Sequence, residues 1–583
     1  MSATVDPVET LEVVVRRAAE DALGSDCAGV DPQIRRSDRA DLQADLALGL
    51  ARRLKKAPRE IAQSIAAAIP VGDASDFVDS VEVSGPGFLN FTLKAEWLAG
   101  AAARAADSER LGVGLAARTE RVVIDYSHPN VAKEMHVGHL RSTVIGDALA
   151  RVLEWRGHTV IRQNHIGDWG TPFGMLIEHF VDLGDVRAET EFAMGELGSF
   201  YRAARKKFDE DPTFADRSRK RVVALQGGDG PTLERWRMLI ELSQRYFETV
   251  YAKLEVTLKP ADVCGESFYN DRLGPLATEL ETSGYARRSE GALCVFPAGF
   301  KTKEDQPLPL IVRKTDGAFG YASTDLAAIR YRLKDLQATR ILYVVGTPQS
   351  QHLAMVVAVA KDAGWLAPPA RAEHVAFGSV LDTDKRMFKS RSGETVLLID
   401  LVDAAIARAE AVVAAKAPDL DDQTRSAVAK MVGIGAIKYA DLSSDRIKDY
   451  VFDLERMVSF DGNSAGYLQY AHARIRSIFR KAGDAGSVGP IRIVEPAERA
   501  LAMELLGFGN AVGGVEETLQ PHRLTGYLHA LGVAFTAFYD ECPILRSDVP
   551  AEVRASRLAL AKLTAETLAL GLGLLGISVP ERM

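Results

Sequence analysis

Two histidines, His136 and His139, flank Gly138 in the stretch HPNVAKEMHVGHLRSTVIGD, His128 to Asp147, with Lys133 just upstream. They stand where an apolar run ends and a helical pattern begins. In an α/β fold that junction is the carboxyl end of a parallel strand, where ligands bind. A helix N-terminus there offers free N–H groups and positive potential to phosphate. Two imidazoles can donate hydrogen bonds to charge developing on a phosphoryl group, and Gly138 lets a flat base approach the backbone closely. The chemistry indicated is nucleotide activation. The alternative is a pair of capping or metal-ligating histidines. A zinc or dinuclear site needs further ligands at regular spacing, and the neighbourhood offers only Glu134. Taken alone, His-x-Gly-His is short enough to arise by chance.

The elements that must position this cluster are legible around it. RVVIDYS, Arg121 to Ser127, reads as a buried strand; HLRSTVIGDALARVLEWRG follows as a helix stopped at Gly157; HTVIRQNHIGDWG is a second β-branched run. Strand, loop, helix and strand at this spacing predict a parallel βαβ unit. From about residue 180 to 290 the rhythm gives way to a helical insertion of mixed charge. Its basic clusters are Arg202 to Lys207 and Arg217 to Arg221. The α/β pattern resumes in LPLIVRK, RILYVVG and AEHVAFGSV. Beyond about residue 400 the pattern is helical to the end. Residues 1 to about 110 read as a separate α+β unit. It has a basic helical turn, Arg52 to Lys56, and strands around the Gly-Pro-Gly of VDSVEVSGPGFLNFTL. In YLQYAHARIRSIFRKAG, a stripe of Tyr467, Tyr470, Ala471, Ile475, Ile478 and Phe479 is expected to be buried. His472, Arg476 and Arg480 recur on another face, where a solvated row is the default.

A chain of 583 residues is long enough for about three or four domains. Hydrophobic content of 47% and charged content of 26% are ordinary for a globular protein. With net charge -8, a polyanion must bind to local basic patches rather than to the whole surface. Cys27, Cys264, Cys294 and Cys542 are far apart and form no zinc-type spacing, which fits a reducing compartment. The N-terminus lacks the basic and apolar regions of a secretory signal. No run of about 18 apolar residues marks a membrane span. A cytoplasmic protein without structural zinc and without a membrane partner is expected.

The His136 stretch resembles the His-Ile-Gly-His signature of class I aminoacyl-tRNA synthetases. Its longer form, SHPNVAKEMHVGHLRSTVIGD, resembles the arginyl-tRNA synthetase version in particular. Further matches follow in order: GDWGTPFG (Gly167 to Gly174), TDGAFGYASTDLAA (Thr315 to Ala328), MFKSRSGETV (Met387 to Val396), YLQYAHARI (Tyr467 to Ile475) and the ending VPERM (Val579 to Met583). GPGFLNFTL extends the resemblance into the first unit. Ordered motifs over nearly the whole chain are far more specific than any single one.

The resemblance implies a role for each matching residue. His136, Gly138 and His139 would contact ATP. Asp125 and Asn130 match positions that hold substrate arginine, the first being Glu in some members. Tyr321 and Asp325 match a pair lining the arginine side-chain pocket, and Gln349 a glutamine near it. The physics agrees: a guanidinium is a planar, permanently charged fork of donors, and carboxylates reject an uncharged isostere by being left unpaired. Without the resemblance, Tyr321 would read as a core aromatic and Asp325 as an N-cap. One departure stands out. The second class I signature is usually Lys-Met-Ser-Lys-Ser; aligned on FKSRSG its positions here are Met387, Phe388, Lys389, Ser390 and Arg391. Neither lysine is in register. Divergent arginyl enzymes carry a lysine before the histidine signature, here Lys133, which would otherwise be an exposed loop charge. Lys133, Lys389 and Arg391 therefore join His136 and His139 as candidate catalytic groups. Met387, Phe388, Lys389 and Ser390 are candidate ATP contacts.

The expected architecture is a multidomain α/β protein. An N-terminal α+β domain (1–112) would contact tRNA through Arg52 and Lys55. A Rossmann-type catalytic domain (113–400) carries the helical insertion, and residues 401–445 connect it to an all-α anticodon-binding bundle (446–583). In the bundle His472, Arg476 and Arg480 are candidate tRNA contacts. The expected activity is arginine–tRNA ligation by a monomer. Its partners would be L-arginine, ATP with Mg²⁺, and tRNA(Arg). The rival is a catalytically degenerate synthetase-like RNA-binding regulator, against which the intact His136, Gly138, His139, Tyr321 and Asp325 argue. A second rival, a nucleotidyl transferase of the same fold without tRNA, is opposed by the helical C-terminus and the basic N-terminal unit.

Overall fold

The β-branched runs around the histidine cluster form the centre of a parallel sheet. The computed structural model describes residues 5–27, 29–37, 39–184, 197–386 and 396–583. Strands are numbered along the chain. The N-terminal unit holds β1 (Ile34–Arg36), β2 (Leu42–Ala44), β3 (Val78–Ser84) and β4 (Phe88–Leu93) in an antiparallel sheet of order β1-β2-β4-β3. The helices Pro7–Leu23, Leu46–Leu54 and Pro58–Ala68 belong to the same unit. The central sheet has the order β11-β10-β5-β6. It comprises β5 (Arg121–Asp125), β6 (Thr159–Gln163), β10 (Arg340–Tyr343) and β11 (Arg371–His374), all parallel. Asp125 and Tyr343 pair in register at the carboxyl ends of the two central strands. Chain order reverses between β5 and β10, so a crevice opens where doubly wound sheets bind ligands. The helix Val137–Trp155 joins β5 to β6 as expected and is buried along most of its length.

The segment LPLIVRK departs from expectation. Its strand, β9 (Leu310–Arg313), leaves the parallel sheet and pairs antiparallel with β8 (Ala292–Val295), which pairs with β7 (Ala286–Ser289). The reason lies in the burial pattern: Leu310 and Val312 are buried while Ile311 and Arg313 are exposed. That alternation belongs to a one-sided antiparallel sheet; a central parallel strand is buried on both faces, as β10 is. The insertion is helical, with Leu197–Glu210, Pro212–Gln226, Gly230–Lys253 and Asn270–Thr282. The short strands β12 (Val380–Leu381) and β13 (Tyr450–Val451) pair parallel.

Two helices, Leu398–Lys416 and Asp422–Leu442, lead to the C-terminal bundle of Ala465–Ala482, Pro496–Leu506, Phe508–Thr518, His522–Glu541 and Ala551–Leu574. The buried Arg141 of the helix after β5 lies 3.3 Å from Asp441 and donates to the Lys448 carbonyl at 2.9 Å. A buried pair of this kind fixes geometry more than it adds stability. The two ends of the chain meet. Met503 and Leu506 sit inside the N-terminal core with Leu89, Phe91 and Leu93. Arg499 reaches both oxygens of Asp41, at 2.8 and 2.5 Å, and the Leu93 carbonyl. Arg36 pairs with Glu504 at 3.1 Å.

Candidate active site

The loop leaving β5 is held under backbone strain. Ser127, His128 and Ala132 all have positive φ, at 81°, 54° and 59°. Non-glycine residues stay there only when surrounding structure over-determines them, a pattern concentrated at functional sites. The insertion supplies that structure. Ser243 of the helix Gly230–Lys253 accepts from the Ala132 N–H at 3.0 Å, and Tyr251 bonds Ser127 at 2.7 Å and Asn164 at 2.9 Å.

At the end of this loop His136 caps the helix Val137–Trp155. Its Nδ1 accepts from the Gly138 N–H at 3.0 Å, while its own N–H donates to His139 Nδ1 at 3.1 Å. With both Nδ1 atoms accepting, each neutral ring carries its proton on Nε2, so both present a donor. Burial, then the charge of Lys133, lowers the His136 pKa. Burial and the neighbouring His136 push His139 down to about 3. Both imidazoles are therefore neutral donors near neutral pH. A Cβ on residue 138 would lie 2.8 Å from the His136 ring, so glycine is required for this packing.

A cavity of about 430 Å³ opens at the ends of β5 and β10, on the loop side of Asp125 and Tyr343. It brings together Asp125, Asn130, Tyr321, Asp325 and Gln349, all five residues matched to arginine binding. Tyr321 starts the helix Tyr321–Lys334 and is 75% exposed; Gly320, not Asp325, is the N-cap. The core-aromatic and capping alternatives are thereby removed. Asp125 is buried, with Arg332 Nη2 at 2.6 Å on one oxygen and His128 Nε2 at 2.8 Å on the other. Burial alone would raise its pKa, but the Arg332 guanidinium and His128 hold it well below the ordinary carboxylate range. Arg332 also donates to Gln163 at 2.6 Å. Asp325 accepts from His352 at 2.6 Å, and that bond raises the His352 pKa.

Glu266 also lines this cavity. Burial, reinforced by Asp168 and Asp325, pushes its carboxyl up to about 8. The adjacent Ser267 fixes the turn by donating to Asp168 from its backbone at 2.8 Å and from its hydroxyl at 2.6 Å. Sequence reasoning missed Glu266, because CGESFY carries no periodic or motif signal. It also missed His128, His165, Tyr343 and His352, which share the lining. Tyr343 could have been found: it ends an apolar strand, where site residues concentrate.

The remaining candidates fall into three groups. Lys133 is exposed, its ammonium 4.5 Å from the Tyr201 ring centroid. Met387, Phe388, Lys389, Ser390 and Arg391 lie outside the described residues. The segment that follows them does lie against the first signature: Val137 donates to the Val396 carbonyl at 3.1 Å and Leu398 to the Met135 carbonyl at 2.8 Å. The proposed tRNA contacts are remote from the cavity. Arg52 and Lys55 are exposed at a helix end. His472, expected on a solvated face, is buried and bonded to the Pro580 carbonyl at 3.0 Å. Tyr470, expected in the buried stripe, is 38% exposed. Arg476 and Arg480 hold the C-terminal segment through Glu581, at 2.6 Å to its carboxylate and 2.8 Å to its carbonyl. The tail thus rotates the face that the periodicity assigned to solvent.

Comparison with known proteins accounts for the whole chain. Residues 106–454 match the family described as tRNA synthetases class I (R), catalytic domain. Residues 468–583 match the DALR anticodon binding domain, and residues 9–93 the arginyl tRNA synthetase N terminal domain. The chain is 54% identical over 580 residues to an arginine–tRNA ligase of Thermobifida fusca, covering 99% of this chain and 100% of that protein. It is 52% identical to one of Frankia casuarinae, covering 99% and 98%. The fold is similar to the arginyl-tRNA synthetase of Plasmodium falciparum, with TM-score 0.84, 26% identity and 100% of both chains covered. It is also similar to that of Thermus thermophilus, with TM-score 0.81, 27% identity and 99% and 100% covered. With its catalytic, anticodon-binding and N-terminal parts all matched in order, the chain belongs to the arginyl-tRNA synthetase family.

Proposed function

We infer that the chain ligates L-arginine to tRNA(Arg) at the expense of ATP. The observation that carries this reading is the cavity at the ends of β5 and β10, where Asp325, Glu266 and Tyr321 converge, with the loop from β5 leading on to two neutral, donating imidazoles at the helix cap. The guanidinium is taken by Asp325 and Glu266. Asp125, already engaged by Arg332 and His128, keeps lone-pair capacity for the α-ammonium. The arginine carboxylate oxygen attacks the α-phosphorus of ATP in line; the new O–P bond forms as the bond to pyrophosphate breaks. His136 and His139 donate Nε2–H bonds to the charge that develops, and being neutral they do so without a proton transfer. A hydroxyl at the tRNA 3′ end then attacks the adenylate carbonyl and AMP leaves. Positioning and charge stabilisation supply the catalysis. Mg²⁺ accompanies ATP as its phosphate complex.

Lys133 supplies positive charge that the second signature loop lacks at Ser390. Its field reaches both histidines, lowering the pKa of each. By the family resemblance, Lys389 and Arg391 add positive charge for ATP. Arg52, Lys55, Arg476 and Arg480 serve tRNA phosphates, and the enzyme works as a cytoplasmic monomer. Charging of bulk tRNA with each of the twenty amino acids tests the function: arginine alone should be attached. Lys133→Ala should lower arginine-dependent ATP–pyrophosphate exchange by about 10²-fold with arginine binding kept. Near-normal exchange would return Lys133 to the status of a surface charge.

A further inference from the structure

We propose that Tyr201 is a positioning residue for Lys133, so that the helical insertion sets where this charge stands during adenylate formation. The proposal rests on the reading of Lys133 given above. Lys133 lies on the strained loop between β5 and the histidine helix, and its ammonium packs on the Tyr201 ring at 4.5 Å. Tyr201 belongs to the helix Leu197–Glu210. That helix is anchored by Phe200 and Ala204, both buried, with Phe200 edge-on to Phe180. Three residues before Tyr201, Gly198 leaves room for the Glu134 carboxylate: a Cβ there would lie 2.3 Å from Glu134 Oε2. One helical turn of the insertion thus receives both side chains of the Lys133–Glu134 pair.

The chemistry of the partner matters. A carboxylate beside Lys133 would hold the ammonium and also neutralise it. An aromatic face restrains the cation while leaving its charge and N–H donors largely available. A lysine on its flexible four-carbon stem otherwise samples many rotamers. Tyr201 narrows that range on the loop that leads directly into the His136 cap. The insertion therefore contributes to the phosphate end of the site from outside the catalytic sheet.

The test is a double-mutant cycle on the full-length enzyme, read by arginine-dependent pyrophosphate exchange with tRNA present. Tyr201→Phe keeps the ring and should stay within about twofold of wild type, whereas Tyr201→Leu should lower the exchange kcat about tenfold with arginine KM unchanged. In a Lys133→Ala background, Tyr201→Leu should add little. A normal rate for Tyr201→Leu beside an impaired Lys133→Ala overturns the role of Tyr201 alone. A normal rate for Lys133→Ala overturns the underlying reading and this proposal with it. Equal losses from Tyr201→Leu with and without Lys133, or failure of Tyr201→Phe to preserve activity, would assign Tyr201 to insertion packing and refute the proposal.

Discussion

Arginine affinity should rise with pH between about 6 and 8, and Glu266 should carry the slope. Before arginine binds, its carboxyl sits at about 8. It is then about 1% ionised at pH 6, about 10% at pH 7 and half ionised at pH 8. The folded-state value lies above the ordinary 4.5. The contribution of this group to folding is therefore fully present below pH 4.5 and lost as pH rises through 8. Arginine binding runs the other way, because a guanidinium stabilises the carboxylate and expels its proton. If only the ionised form binds, the apparent Kd at pH 6 should be about 50-fold higher than at pH 8, or about 2.3 kcal/mol. Calorimetric titration in buffers of different ionisation enthalpy should show close to one proton released per arginine near pH 7 and almost none above pH 9. Glu266→Gln should bind arginine weakly at every pH and abolish most of the slope. His352, raised by its bond to Asp325, would also favour binding as it deprotonates, so the variant separates the two. A flat wild-type profile would refute the reasoning. A full slope surviving in Glu266→Gln would transfer the effect to His352.

Other expectations follow from the same geometry. Asp325→Asn keeps size but removes charge, so arginine KM should rise by about 10²-fold or more while ATP KM changes little; equal changes would refute its role as the guanidinium ligand. Pyrophosphate exchange should depend on tRNA, as the family resemblance implies, and robust exchange in tRNA-free enzyme would count against it. Replacing Arg52, Arg53, Lys55 and Lys56 by Gln should weaken tRNA binding and flatten its salt dependence. Unchanged filter-binding curves would leave these four as a solvated turn. Arg499→Leu leaves Asp41 without its cationic partner, keeping only the Leu93 N–H, and should destabilise the junction of the two chain ends by about 1–3 kcal/mol, read as a lower first unfolding midpoint.

The local pattern around Arg121 to Gln163 was sufficient to place the catalytic sheet and the histidine helix, because hydrophobic periodicity is a short-range property. Helical periodicity likewise marked the helices that follow residue 197 and those of the C-terminal part. The destination of LPLIVRK was not legible, since a four-residue apolar run fits either sheet until the burial of alternate residues is known. The five arginine candidates came from ordered motifs and do share one cavity. Glu266 and the partnership of Asp125 with Arg332 were hidden because both arise from residues far apart in sequence. His472 was misread for a related reason: helical periodicity identifies two faces, but the C-terminal segment that covers one of them lies over a hundred residues away. Tyr201 carried no signal at all, since its meaning depends on a loop in another part of the chain.

The shared core at the two chain ends has a consequence for biosynthesis. Met503 and Leu506 complete the packing of the N-terminal domain, and Arg499 closes on Asp41 and the Leu93 carbonyl. The part translated first therefore finishes its packing only when translation is nearly complete. At about 5–20 residues per second, the roughly 400 residues between these contacts take about 20–80 s to emerge. Through that interval the apolar face destined for Met503 and Leu506 is open to solvent, which makes the nascent chain a substrate for holdase chaperones. A product terminated before these residues is weakened at its opposite end as well, because the N-terminal core then lacks Met503 and Leu506.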